Sequence, residues 1–189
     1  NQGCYDGFES KDSPCITCLR NPAVGREEEC KLIPAEKPET VLIAGGGIGG
    51  LEAAVILKKR GHNPILCEAS DKLGGQFLTA GEAPRKEEMK AAVIAMGEKA
   101  ERLGVEVRMN TKATPELIRE LKPHTVINAT GAVPVIPSIP GNDKKFVVNS
   151  HDVLNGKVSI GGNVVVIGGG MVGMETAEYL AEKGAKVTV

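Results

Sequence analysis

Aromatic side chains make up only 3% of the 189 residues, and tryptophan is missing altogether. The core must then be aliphatic, which suits an α/β protein with tight turns. Long apolar runs are missing too. Val41–Leu51 and Val164–Met174 are interrupted by glycines and too short to span a bilayer. Neither sign of charge is in excess: the net charge is −1 and the pI about 6.4. That removes the electrostatic case for a nucleic acid or an anionic membrane as partner. Catalytic hardware is scarce, with no nucleophile elbow and no His-Glu-x-x-His. His62 follows a turn glycine, His124 starts a strand and His151 stands beside a helix start, so all three read as structural or exposed. No signal or transit segment is recognisable, which points to the cytoplasm. The first residue is Asn, and Val189 falls inside what reads as a strand. The chain is therefore expected to be a piece of a longer one.

Glycine is plentiful instead, with 24 residues. The most informative cluster lies in Thr40–Glu68. Val41–Ala44 reads as a buried strand, followed by Gly45, Gly47 and Gly50 in G-x-G-x-x-G spacing. A helix over Leu51–Arg60 closes at Gly61, and a strand over Pro64–Cys67 runs into Glu68. Each glycine has a physical job. Gly45 permits the turn, Gly47 admits a pyrophosphate to the backbone, and Gly50 brings helix and strand together. The helix N-terminus faces the phosphates. Glu68, 18 residues after Gly50, is placed to accept hydrogen bonds from a ribose diol. Strand, glycines, helix, strand and acid in register predict a dinucleotide site, where the glycine spacing alone would be weak.

Residues 1–39 differ from the rest. They hold Cys4, Cys15, Cys18 and Cys30, with the acidic run Glu27–Glu29, and no sustained helical or strand period. So little apolar material needs a staple or a neighbouring surface. A zinc site and an iron–sulfur site both fit the cysteine spacing, which does not rank them. A disulfide is disfavoured in the cytosol. A Cys15–Cys18 redox dithiol lacks the helix start that lowers a thiol pKa.

Beyond Glu68, Gly74-Gly75 marks a loop whose backbone passes close to something. Pro84–Leu103 reads as a helix, with Met89, Val93, Met96, Ala100 and Leu103 on its buried face and Gly104 at its end. A strand over Val105–Met109, a helix over Pro115–Leu121 and a strand over Thr125–Ala129 follow. Residues 132–145 carry Pro134, Pro137 and Pro140, the composition of a semi-rigid linker. Phe146–Val148 reads as a short strand, and Ser150 as the cap of a one-turn helix over Asp152–Leu154. Then the opening motif returns. Val164–Gly173 repeats Val41–Gly50 at an offset of 123 residues, with Glu175 matching Glu52 and Gly184 matching Gly61. The repeat predicts two nucleotide sites. The counterpart of Glu68 would fall at position 191, so the second site has a phosphate grip without its ribose reader.

Taken together, these segments resemble the C-terminal half of the large NADH:flavin oxidoreductases, the 2,4-dienoyl-CoA reductase, enoate reductase and trimethylamine dehydrogenase group. Asn1–Cys4 resembles the end of that family's C-x-x-C-x-x-x-C cluster motif. Cys18–Glu27 resembles its C-x-x-N-P-x-x-G-R-E motif, which favours Cys18 as a cluster ligand and leaves Cys15 a rival. Leu73–Phe77 is similar to its LGGQ loop, Ala83-Pro84 and Lys86 to its A-P-x-K, and Asn128–Pro134 to its A-T-G strand end.

The resemblance implies an α/β fold, a Rossmann-like, three-layer FAD-binding βαβ domain with the start of an inserted second Rossmann unit for NAD(P). It divides the chain into an iron–sulfur-type segment (1–39), an FAD-binding part (40–135), a linker (136–160) and the start of an NAD(P)H unit (161–189). It implies FAD on Gly45, Gly47, Ile48, Gly49, Gly50, Glu68, Ala69, Gly75, Gln76, Ala113, Ala129, Thr130 and Gly131. It implies NADH or NADPH on Gly168, Gly170, Met171, Val172, Gly173 and Glu175, and part of a [4Fe–4S] cluster on Cys4 and Cys18. FMN in an upstream TIM barrel of the same chain would act on an enoate, dienoyl or amine substrate. Electrons would pass from NAD(P)H through FAD and the cluster. Catalytic residues are assigned to none of these positions, and a homo-oligomer stays open. The 189 residues alone are expected to bind FAD weakly and to hold no intact cluster. A non-catalytic dinucleotide sensor with a cysteine zinc or thiol site is the alternative. A disulfide reductase would keep its cysteine pair just after the first glycine motif or within the second unit, whereas Cys15 and Cys18 precede both motifs.

Overall fold

A computed structural model describes residues 16–189. Four parallel strands form the main sheet in the order β3-β2-β1-β4: β1 (Thr40–Ala44), β2 (Asn63–Cys67), β3 (Glu106–Arg108) and β4 (Thr125–Asn128). In register, Leu42 faces Ile65 on one side and Val126 on the other. Alternate residues along β1 point to opposite faces. Val41 and Ile43 pack with Leu51, Ala54 and Val55 of α1 (Ile48–Lys59) and with Val93 and Ala100 of α3 (Glu87–Arg102). Leu42 turns the other way and packs with Ile65, Cys67 and Leu117, Ile118 and Leu121 of α4 (Pro115–Leu121). Helices thus cover both faces, and the two central strands, β1 and β2, are apolar and buried after their first residue for that reason. Leu42, Ile43, Leu51 and Leu66 are completely buried, each stabilising the sheet by about 1.5–3 kcal/mol.

Local chemistry sets the element ends. Thr114 caps α4 by accepting the Leu117 N–H at 3.3 Å, Pro115 occupies its first turn, and Lys122 ends it in a left-handed conformation (φ 45°). Two histidines hold the start of β1. The His62 and His124 Nδ1 atoms accept the N–H groups of Glu39 (3.3 Å) and Thr40 (3.2 Å). Nearby, Arg60 Nε donates to the Ile33 carbonyl at 2.9 Å, and the Arg60 carbonyl accepts from Ala35 at 2.8 Å. Together these contacts pin residues 33–40 to the N-terminal edge of the sheet.

A second, smaller unit pairs β5 (Asn163–Val165) with β6 (Lys186–Thr188) in parallel around α6 (Met171–Glu182). Thr176, Ala177 and Leu180 of α6 are buried, as are Val153 and Leu154 of α5 (Ser150–Leu154), and the two helices pack together.

Several expected boundaries shift. The first helix begins at Ile48 rather than Leu51, because Gly47 is its N-cap. The long helix begins at Glu87 rather than Pro84, because Arg85 takes a left-handed conformation (φ 61°) that ends any earlier turn. A short helix, α2 (Gln76–Ala80), occupies part of the stretch read as a loop. Phe146–Val148 is not a strand: Phe146 is exposed, and among the described residues no strand lies alongside to pair with it. Asn149, not Ser150, caps α5, its Oδ1 accepting the His151 N–H at 2.8 Å. Of the methionines expected in the core, Met96 packs partly buried against it, while Met89 is half-buried outside the cluster.

Candidate functional site

β1 ends against a turn that leaves no room for side chains. Gly45 has φ 107°, and a Cβ there would lie 2.3 Å from the Ala129 carbonyl oxygen. Ala129 is held in that position by its N–H, which donates to the Ala44 carbonyl at 2.8 Å. A Cβ on Gly50 would come within 1.9 Å of the Gly45 carbonyl oxygen and 3.3 Å of Ile43 Cγ2. Gly50 therefore packs first against the turn itself and then against the strand. Gly47 and Gly49 are different, since a Cβ on either meets nothing within 4 Å. Gly47 caps α1 with no side chain, and the first turn of α1 holds no acidic residue. The first-turn amides and the positive helix end, with half-buried Ile48 among them, are left for an outside anion.

Glu68 follows β2 directly and turns back onto this loop. Its Oε2 accepts the buried Gly46 N–H at 2.8 Å, and its Oε1 accepts both the N–H and the Oγ–H of Ser70 at 2.7 Å. Partial desolvation pushes the Glu68 carboxyl up. Hydrogen bonds from Ser70, Gly46 and Ala69 outweigh it and hold the group below the usual carboxylate range. The carboxylate is thus charged and fixed at the mouth of the glycine turn. Ala69 is exposed beside it. Thr111 donates its N–H to the Glu68 carbonyl at 2.8 Å, while Ala113 packs against Leu42, Ile65 and Cys67 on the far face of the sheet.

Gly74 and Gly75 run alongside the first glycine turn. The Gly74 N–H donates to the Gly46 carbonyl at 2.8 Å, and a Cβ on Gly75 would lie 3.2 Å from Gly47 Cα. The expected close approach is therefore to the turn itself. Gln76 Nε2 donates to the Ala132 carbonyl at 2.6 Å, tying this loop to the exposed Thr130–Gly131 segment after β4. Thr130 Oγ1 bonds Asn128 Oδ1 at 2.8 Å. Gly45–Gly50, Glu68–Ala69, Gly75–Gln76 and Ala129–Gly131 converge at one end of the sheet, the C-terminal ends of its strands.

The second turn repeats the first in detail. Gly168 has φ 110°, and Gly170 caps α6 at φ −75°, ψ 178°, against −71° and −177° at Gly47. A Cβ on Gly173 would lie 1.9 Å from the Gly168 carbonyl oxygen. Met171 and Val172 are exposed in the first turn, which again holds no acid. The surroundings differ. Nothing lies within 4 Å of a Cβ on Gly168, so no neighbouring strand closes over this turn among the described residues. Glu175 is half-buried and bonded to Lys86 Nζ from the other unit.

Cys18 lines a depression of about 170 Å³ with Ile16, Thr17, Pro22, Val24 and Arg26. Cys18 and Cys30 are half-buried free thiols. Cys4 and Cys15 lie outside the described residues. Among those described, no three His, Cys, Asp or Glu side chains gather to hold a metal ion. No described helix is long and apolar enough to cross a membrane.

Three residues at these sites went unread in the sequence. Gly46 was concealed between two motif glycines, although its Cβ would lie 2.6 Å from Leu73 Cδ2. Ser70 had a signal, since a serine two residues from an acid often bonds it locally. Arg85 had none: its partners Glu178 and Glu182 stand 93 and 97 residues away.

Comparison with known proteins agrees with this geometry. Residues 40–189 match the pyridine nucleotide-disulphide oxidoreductase family. An NADH oxidase from Thermoanaerobacter brockii is 45% identical over 196 residues, covering 100% of this chain and 30% of its own length. A cinnamate reductase from Clostridium sporogenes is 40% identical, covering 100% of this chain and 28% of its own. A 2-naphthoyl-CoA reductase solved with 2-naphthoyl-CoA superposes with a TM-score of 0.93 at 37% identity, covering 100% of this chain and 29% of its own. The chain spans about 30% of the length of the curated relatives it matches. With both glycine turns inside the matched region, the chain belongs to the pyridine nucleotide-disulphide oxidoreductase family.

Proposed function

We propose that this chain is the nucleotide-binding part of a flavin-dependent NAD(P)H oxidoreductase. Residues 40–135 hold FAD, residues 136–160 link, and residues 161–189 begin the NAD(P)H unit. The observation that carries the reading is the pair of glycine turns with matching backbone geometry and one partner acid, Glu68. The sites fit the nucleotides: Gly47 and Gly170 face open space where a pyrophosphate would lie, and both helix N-termini lack a side-chain cap. Gly45, Gly47, Ile48, Gly49 and Gly50 hold the FAD phosphates and Glu68 the ribose, with Ala69 toward the adenosine. Gly75, Gln76, Ala129, Thr130 and Gly131 line the path of the flavin. Gly168, Gly170, Met171, Val172 and Gly173 grip the phosphates of NADH or NADPH, with Glu175 in the next turn of that helix. When bound, FAD supplies a ring that takes two electrons and a proton from the reduced nicotinamide. The chain's own residues bind, orient and fix charge.

Within 40–189 the only cysteine is Cys67, buried at the end of β2. A disulfide-reducing dithiol therefore has no place in the matched region. The same reading gives Cys4 and Cys18 as thiolate ligands of a [4Fe–4S] cluster. It places an FMN-bearing TIM barrel for an enoate, dienoyl or amine substrate on the same polypeptide. The names of the relatives, a cinnamate reductase and a 2-naphthoyl-CoA reductase among them, support that substrate class.

The test is anaerobic titration of the full-length protein. FAD released on denaturation in a one-to-one ratio, and bleaching of the bound flavin by NADH or NADPH, are the expected results. A protein that retains stoichiometric zinc and no flavin would instead be a sensor module.

A further inference from the structure

Arg85 lies outside both glycine turns, and nothing in the proposed chemistry calls on it. It follows Pro84 with φ 61°, a conformation costing a non-glycine residue about 1–2 kcal/mol. This conformation directs residues 85 and 86 toward the second unit. Arg85 Nη1 donates to Glu178, and Nη2 lies 3.3 Å from Glu182 Oε1. Lys86 donates to Glu175. Positions 175, 178 and 182 fall on one stripe of α6, the helix that carries the second glycine turn. Thr79 Oγ1 donates to Asn155 Oδ1 across the same boundary at 2.8 Å.

We propose that Arg85 is a positioning residue, a charge latch that docks α6 on the 84–86 turn and so sets how the two nucleotide sites face each other. The inference rests on the reading of the two sites given above. Arg85 and its two carboxylate partners are largely exposed. Each such pair is weak and screened by salt. The latch therefore biases a docked arrangement rather than holding the fold. It is a lever on the approach of the nicotinamide to the flavin, and salt is the natural way to relax it.

The experiment uses the full-length holoprotein, with anaerobic stopped-flow reduction of the flavin at saturating nicotinamide and hydrogen exchange of α6 on the same samples. R85A is expected to slow reduction roughly three- to tenfold at low salt, with little change in nicotinamide affinity, and to speed exchange in α6. High salt should bring the native protein toward the R85A rate and change R85A, which keeps only the Lys86–Glu175 pair, much less. R85K should keep most of the rate. R85E should fall further, and R85E with E178R should recover to within about twofold of native. Native rate and native exchange in R85A at both salt levels overturn the latch, as does a double variant no better than R85E. Should neither nicotinamide bleach the native flavin, the proposed function falls, and the exchange data alone decide the latch.

Discussion

Gly50 stands against the carbonyl of Gly45 so closely that a Cβ would come within 1.9 Å of the oxygen, and Gly173 stands in the same relation to Gly168. Gly47 and Gly170, three residues earlier in each turn, face open space. One pair of glycines is thus required by the protein and the other by whatever the protein holds.

That separation predicts two classes of variant. Gly50→Ala forces a methyl against the Gly45 carbonyl and should cost about 3 kcal/mol or more, read as a fall in the urea midpoint. Gly47 has φ −71°, which alanine adopts freely, so Gly47→Ala should fold with a nearly native midpoint. It should nevertheless lose bound FAD, because the added methyl occupies the pyrophosphate path. A Gly47→Ala protein that keeps its full complement of flavin would break the assignment of the first turn.

Glu68 links the ribose position to the turn through the Gly46 N–H at 2.8 Å. Glutamine keeps one acceptor oxygen and cannot serve Gly46 and Ser70 together. Glu68→Gln should therefore destabilise by about 1 kcal/mol. The Glu68 carboxyl is held low in the folded state. Its contribution is fully present above the ordinary glutamate pKa of about 4.3 and is lost as pH falls through the lower folded value. A urea midpoint that declines with acid should decline less steeply in the variant. Parallel slopes would show that the Gly46 and Ser70 bonds are not what lowers the group.

How far the sequence could be read depended on how local the physics was. β1, its glycine turn and α4 were legible because their determinants lie within a few residues, such as Thr114 and Pro115 at the start of α4. The sequence suggests Leu51 as the start of the first helix and the structure has Ile48, since glycines read as turn even where Gly47 is the cap. α2 leaves no sequence signal because five residues after a glycine pair carry no helical period. Phe146–Val148 misled in the other direction: strand propensity without a neighbouring edge gives no strand. The contacts that relate one unit to the other, Arg85 with Glu178 and Lys86 with Glu175, join distant residues and leave no periodic trace.

His62 and His124 precede β2 and β4, the two neighbours of β1, and each accepts a backbone N–H at the start of β1 through Nδ1. An acceptor at that nitrogen is what the structure needs. His124→Asn places an oxygen in a similar position, whereas His124→Ala leaves the Thr40 N–H to water. Alanine should lower stability by about 0.5–1.5 kcal/mol and asparagine by less. Urea midpoints at unchanged m-value make the comparison, and equal losses in the two variants would assign the effect to packing instead.

Cys67 ends β2 with its thiol buried among Leu42 and Ile65 on the face covered by α4. Burial pushes its pKa up. Arg108 nearby opposes this and Glu106 reinforces it, so the net direction is upward. Since the thiolate is the reactive form, both low thiolate content and inaccessibility protect it. Iodoacetamide should leave Cys67 unmodified in the folded protein and modify it once urea opens the sheet, with mass spectrometry of the peptide as readout. A folded-state thiolate is disfavoured, so stability is full below the ordinary thiol pKa of about 8.5 and declines as pH climbs through it. Cys67→Ser puts a hydroxyl without a hydrogen-bond partner into the same apolar site. It should cost about 1–3 kcal/mol, while Cys67→Ala should cost less by leaving only a small void. Rapid alkylation under native conditions, or a serine variant as stable as the alanine one, would mean that the α4 face opens far more readily than its packing implies.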